Sequence, residues 1–156
     1  MAEDNLSAQY LLRVVDQAYN RTSWHGTNLR GSIRGVTAAD AGRRPARGRH
    51  SIHELVVHAA YWKYTVWRRL TGAKRGSFPL EGSNWFARRS ADWRADVELL
   101  DRMHRALRDV VARLPPEELD RTVPGSRLTR ADLIAGVAAH DLYHAGQIQL
   151  LKALRR

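Results

Sequence analysis

The chain predicts an all-α fold, a four-helix bundle, on three observations. Apolar residues recur at spacings of three and four through four long segments. No stretch shows the alternating Val, Ile and Tyr pattern of a half-buried strand. Connectors rich in Gly, Pro and Arg separate the periodic segments. At 156 residues the chain is read as a single domain spanning 1–156, long enough to bury a core without disulfides, which the absence of cysteine excludes.

The first segment, Asn5 to Asn20, carries Leu6, Tyr10, Val14 and Ala18 at intervals of four, with Leu11 and Val15 alongside. "TSWHG" breaks it, Gly26 suiting a helix end, and Thr27 to Val36 then places Leu29 and Ile33 one turn apart. Together they are expected to make one interrupted first helix. Thr37 to Ser51 reads as a loop. The next helix runs from Ile52 to about Leu70, opened by a Ser51/Glu54 capping box, faced by Leu55, Ala59, Trp62 and Val66, and ended at Gly72. Residues 71–91, with Gly72, Gly76, Pro79 and Gly82 set among Phe78, Trp85 and Phe86, form a long loop between helices two and three, of a length that often serves function. From Asp92, the residues Trp93, Val97, Leu100, Leu107, Val111 and Leu114 mark the third bundle helix, stopped by Pro115 and Pro116. Thr129 and Asp132 offer a weaker cap to the last helix, Arg130 to about Leu154.

That last helix poses the functional question. Leu133, Val137, His140, His144, Gln147, Leu151 and Leu154 follow the alternating four-three spacing of a seam that faces a bundle interior. Imidazoles at i and i+4 share one face, ~5–6 Å apart at Cβ, and both can reach one ion at ~2.0–2.1 Å per bond. Left unpaired in a core, each would lose ~1–3 kcal/mol of hydrogen bonding. A metal or a polar cavity removes that penalty; so would backbone, side-chain or water partners. The candidate third ligand is His58, on the strip Glu54, His58, Trp62, Thr65 and flanked by Val57, Ala59 and Ala60.

The stretches "SIHELVVHAAYW" and "AGVAAHDLYHAGQIQLL", in that order, resemble the DinB-like (DinB/YfiT-like) family of four-helix bundle metalloenzymes. The resemblance covers nearly the whole chain, and "HDLYHAGQI" is its most specific part. It implies that His58, His140 and His144 are the metal-binding histidines, that the ion is divalent (zinc or nickel), and that the protein is a homodimer. Some relatives transfer or isomerise with low-molecular-weight thiols. Three imidazoles leave coordination positions open, where water, a carbonyl or a thiol can bind. The expectation is a divalent-metal-binding protein acting on a small-molecule substrate, with thiol-dependent transfer favoured over hydrolysis. The alternatives are a non-catalytic metal-binding stress or sensor module, and a basic helical nucleic-acid binder with structural histidines.

Further residues carry expectations. Gln147 can hydrogen-bond a ligand or bound water, and His104, on the seam of helix three, can serve as a fourth ligand or support one. His25, at the helix break, can overhang the bundle mouth, and Glu54 is first a cap partner that can also orient His58. His50 and His53 are expected in solvent, Asp141 in a salt bridge, and Trp62 and Trp85 on a pocket wall. The net charge of +10 raises the odds of an anionic partner. Against a nucleic-acid face, the arginines are spread over nearly every segment and only "RRPARGR" at 43–49 is dense. "MAEDNLSAQY" lacks the features of a signal peptide and no apolar run approaches the ~20 residues of a membrane span, so a cytoplasmic protein without a membrane partner is expected.

Overall fold

The computed structural model describes the backbone of residues 3–155 and the side chains of residues 7–155. Its elements in order are α1 (Glu3–Tyr19), α2 (Leu29–Ser32), α3 (Ala38–Gly42), α4 (Ile52–Thr71), α5 (Trp93–Arg113) and α6 (Arg130–Ala153), with short 3-10 turns at Ser90–Asp92 and Pro116–Glu118. The four long helices α1, α4, α5 and α6 form the bundle, and no strand occurs among the described residues. No helix is long and apolar enough to cross a membrane among the described residues.

Local chemistry fixes the ends. Ser51 and Glu54 close a capping box at the start of α4, each satisfying a backbone N–H of the other. Gly72, at φ 74°, takes the left-handed conformation that ends α4. Pro115 holds Leu114 extended and stops α5. The Thr129/Asp132 cap is a complete box, with 3.1 Å and 2.8 Å bonds, stronger than the sequence suggested.

Four expectations need correction. Residues 27–36 are not a second half of the first helix: only Leu29–Ser32 is α-helical, a single turn packed against α6 and tied to it where Lys152 donates to the carbonyls of Ser32 and Arg34. The loop after it contains the short α3, capped by Thr37. On α1 the buried stripe passes through Val15, Ala18 and Tyr19 while Tyr10 is exposed, so the inward face is rotated from the one expected; Leu6 lies outside the residues whose side chains are described. At the far end, Leu154 leaves the seam and is exposed.

The apolar core is divided. One cluster joins Val15 and Ala18 to Val66, Leu70, Leu107, Val111, Leu133 and Val137. The other joins Tyr19 and Leu29 to Ile52, Leu55, Val56, Leu99, Leu100 and Ile148. Between them along each helix lie the polar residues Lys63 on α4, His104 on α5, and His140, Asp141 and His144 on α6, with His58 on α4 just within the edge of the second cluster, followed by its Ala59 and Ala60. A polar layer therefore crosses the middle of the bundle.

Candidate metal centre

Three imidazoles meet in that layer. His140 and His144, one turn apart on α6, face His58 on α4. The Nε2 atoms of His58 and His140 are 3.1 Å apart and those of His144 and His140 are 2.9 Å apart. One nitrogen from each residue lies within 4.8 Å of both others. His58 and His144 are buried and His140 is half-buried.

The other ring nitrogens set the protonation. His58 Nδ1 lies 2.8 Å from the carbonyl oxygen of Asn84, which can only accept, so Nδ1 carries the proton and Nε2 presents a lone pair to the cluster. His144 Nδ1 likewise donates to Gln147 Oε1 at 2.6 Å, leaving its Nε2 as an acceptor. His140 Nδ1 is buried without a hydrogen-bond partner among the described residues. A proton on His140 Nε2 can satisfy one of the two facing lone pairs, never both. A cation in the middle satisfies all three. Ligand nitrogens at ~2.0–2.1 Å from one ion stand ~2.9–3.4 Å apart for angles between octahedral and tetrahedral, the range in which the two short separations fall. The donor set fits a divalent ion.

Burial keeps these groups uncharged. It pushes the pKa of His58 down to about 4, with the charges of His144 and His50 acting in the same direction against the Asn84 bond. It pushes His140 down to about 3, helped by His144, His58 and Lys63. His144 is lowered too, again chiefly by burial. Neutral imidazole is the form that binds metal.

The loop between α4 and α5 supplies the support. Asn84 sits at φ 64°, a left-handed conformation that asparagine tolerates and that turns its carbonyl onto His58. Its side-chain oxygen accepts from the Trp62 indole N–H at 3.0 Å. Trp85 stacks on His58 with centroids 3.9 Å apart and on His50 at 3.5 Å, planes within 7° and 3°. At those separations two imidazoles cannot share one face, so the indole is sandwiched between them. Trp62 stands edge-on to His58 and His140 at 6.3 and 6.2 Å. Both tryptophans border the cluster.

The remaining sequence candidates fall elsewhere. Glu54 bonds the Ser51 N–H with one oxygen and Arg44 with the other, and makes no hydrogen bond to His58; that salt bridge engages the loop at 43–49. His104 is buried but belongs to a neighbouring network and is absent from the group that can share an ion. Its Nδ1 lies 3.4 Å from Lys63 Nζ, its ring stacks on Tyr19 at 3.7 Å, and burial together with Lys63 pushes its pKa down to about 2. His25 is exposed, with no hydrogen bond or ring contact to the three histidines. Asp141 takes the salt bridge expected of it, with Lys63, in a pair buried at both ends.

Two histidines expected in solvent are not there. His53 is buried and donates from Nε2 to Asp96 at 2.7 Å, and Arg88 clamps the same carboxylate at 2.6 and 3.0 Å. His50 is half-covered by Trp85. The partners of Lys63 and His53 lie 78 and 43 residues away, so no local spacing advertises them. Asn84 had a signal: it sits in a loop, two residues after Gly82, and asparagine is a residue that accepts the left-handed region.

Comparison with known proteins adds one relationship. Residues 21–148 match the family model described as the DinB superfamily, a span covering most of the chain and all three histidines. No curated protein and no solved structure matches the chain.

Proposed function

The chain belongs to the DinB superfamily, and from that premise we propose that it is a divalent-metal-dependent enzyme acting on a small molecule, with His58, His140 and His144 as the ligands and zinc or nickel as the ion. The observation that carries this reading is the convergence of three imidazole nitrogens, two with their protons committed on the far side of the ring. A divalent ion held there supplies Lewis acidity toward a carbonyl, thiol or water at its open positions. The chain's own part is to hold the three rings neutral and oriented: Asn84 and Gln147 fix two tautomers, and Trp85 covers one face of His58.

Thiol-dependent transfer is favoured over hydrolysis on one ground. A hydrolase needs a general base beside the attacking water, and the two nearby carboxylates are engaged, Glu54 by Ser51 and Arg44 and Asp141 by Lys63. A thiol cosubstrate brings its own nucleophile, and the chain has no cysteine of its own.

The test is metal titration and elemental analysis of protein made without a histidine tag, followed by a screen of low-molecular-weight thiols with electrophilic acceptors. One divalent ion per chain, lost in His140→Ala, is expected. A chain that binds no ion, or that binds it equally after His140→Ala, overturns the metal reading; metal without turnover reduces the protein to a binding or sensor module.

The proposed homodimer has its own support. Beyond Asp132 in its first turn, the exposed positions of α6 include Gly136, Ala139, Tyr143, Gly146, Gln149 and Leu150, with no charge among them. In a chain of formal charge +10, this uncharged face is where a second copy approaches with least repulsion. Sedimentation of Tyr143→Lys/Leu150→Glu should show monomer where the parent shows dimer.

A further inference from the structure

A groove of about 980 Å³ runs along the C-terminal half of α4, walled by the loop that follows it and by the turn at 123–125. Its lining combines the aromatic residues Tyr61, Trp62 and Phe78 with three guanidinium groups, those of Arg68, Arg69 and Arg75. Arg30, Arg44, Arg88, Arg108 and Arg130 all pair with carboxylates. The three groove arginines make no ion pair among the described residues, although Glu81 lines the same groove. Arg68 and Arg69 are half-buried, where a cation without a counter-charge is more costly than on an open surface.

Complementing the negative end of α4 accounts for part of this, since Arg68 and Arg69 lie in its last turn. It does not account for Arg75, beyond the helix, or for the aromatic surface beside the charges. Nor does it account for where the groove leads. Trp62 is at once a groove wall and the edge-on neighbour of His58 and His140. Gly82 and Ser83 line the groove, and the next residue, Asn84, holds His58.

We propose that this groove binds an anionic small molecule with a flat apolar body, its carboxylate or phosphate group paired with Arg68, Arg69 and Arg75 and its apolar end against Trp62. That this molecule is the substrate rests on the metal reading above; the groove's preference for an anion does not. Guanidinium groups pair carboxylate and phosphate oxygens through charge-assisted hydrogen bonds, and the aromatic wall supplies the area that holds an apolar body. Binding at Trp62 places the far end of the molecule beside the three imidazoles.

The experiment uses 4-phenylbutyrate and its neutral amide as matched probes, titrated against the full chain with and without added zinc, and read from the Trp62 indole N–H resonance. The carboxylate is expected to shift that resonance saturably and to bind roughly tenfold tighter than the amide. In Arg68→Gln/Arg69→Gln the two probes should bind alike, whereas Arg121→Gln, a surface control paired with Glu118, should keep the preference. His140→Ala should lose the metal and keep the preference, which separates the groove from the metal centre. Equal binding of the two probes by the parent chain, a preference that survives the double arginine substitution, or an unmoved Trp62 resonance overturns the proposal.

Discussion

Replacing Lys63 by methionine removes the cation from the buried carboxylate of Asp141 while nearly preserving side-chain volume. Lys63 is 0% exposed and Asp141 1%. Asp141 Oδ1 has no hydrogen-bond partner among the described residues, so compensation rests on the bond that Lys63 makes to Oδ2. The ammonium is itself held by His104 Nδ1 at 3.4 Å and lies 4.8 Å from the centre of the Tyr19 ring. Removing one member of such a pair costs ~3–5 kcal/mol, a large share of the ~5–15 kcal/mol that stabilises a domain. Burial raises the Asp141 pKa to about 6 even against the pull of Lys63, so without the lysine the carboxyl is more readily neutralised by a proton. The cost of Lys63→Met should therefore be largest at pH 8 and shrink by pH 5. The double variant Lys63→Met/Asp141→Leu removes both charges and should return to within ~1 kcal/mol of the parent or exceed it. Equilibrium urea unfolding at both pH values, with slope and midpoint fitted separately, measures each. A single variant costing under ~1 kcal/mol, or a double no more stable than the single, refutes the claim that the pair is a buried, mutually dependent unit.

The metal-free chain should lose stability on acidification. His58, His140, His144 and His104 have folded pKa values below the ordinary 6.5, so the unfolded chain takes up protons that the folded one refuses. Their contribution is complete above pH 6.5 and falls as pH drops toward about 4 for His58 and about 3 for His140, each histidine costing ~1.4 kcal/mol per pH unit within its own window; urea midpoints flat between pH 7 and 4 would contradict this. Asn84→Ala places an alanine at φ 64° and removes the acceptor of the Trp62 indole, which should cost ~1–2 kcal/mol and weaken metal binding ~10–100-fold. Asn84→Gly keeps the backbone and should hold affinity within a few-fold, so calorimetric titrations in which both variants bind alike would show that the carbonyl does not position His58. Ser51→Ala opens the capping box of α4 and should cost ~0.5–2 kcal/mol by urea unfolding.

What the sequence disclosed follows the range of each interaction. The four bundle helices, the α4 capping box, the stop at Pro115 and the loop before α5 all depend on neighbours within a few residues, and all were legible. His140 and His144 were legible because four residues of helix fix their spacing, and His58 because its apolar flanks marked it as inward. Lys63, His53 and Asp96 were not, because a charged residue reads as a solvated one until its partner on another helix is known. The single turn at Leu29–Ser32 was overestimated for a related reason: apolar periodicity over one turn cannot distinguish a helix from a turn that tucks Leu29 and Ile33 under α6. Tyr10 misled because its aromatic ring matched a four-residue period, while the face of α1 turned inward follows Val15 and Tyr19.

The division of the core explains how the three imidazoles can be both polar and ready for a cation. An imidazole in water near neutral pH is partly protonated, and a proton competes with any ion for the same nitrogen. The two apolar clusters on either side of the polar layer withdraw that water: Leu55, Val56, Ala59 and Ala60 precede and flank His58, and Val137, Ala138, Ala145 and Ile148 bracket His140 and His144. The depressed pKa values are the electrostatic record of this burial. Asn84 and Gln147 then spend the remaining ring protons on the sides away from the centre. Asp141, next to His140 but about a third of a turn around α6, is not in the group that can share an ion, and its charge is paired with the Lys63 ammonium. Three neutral imidazoles therefore follow from the same packing that makes the bundle, and the Lys63–Asp141 pair is what lets α6 carry a carboxylate next to His140.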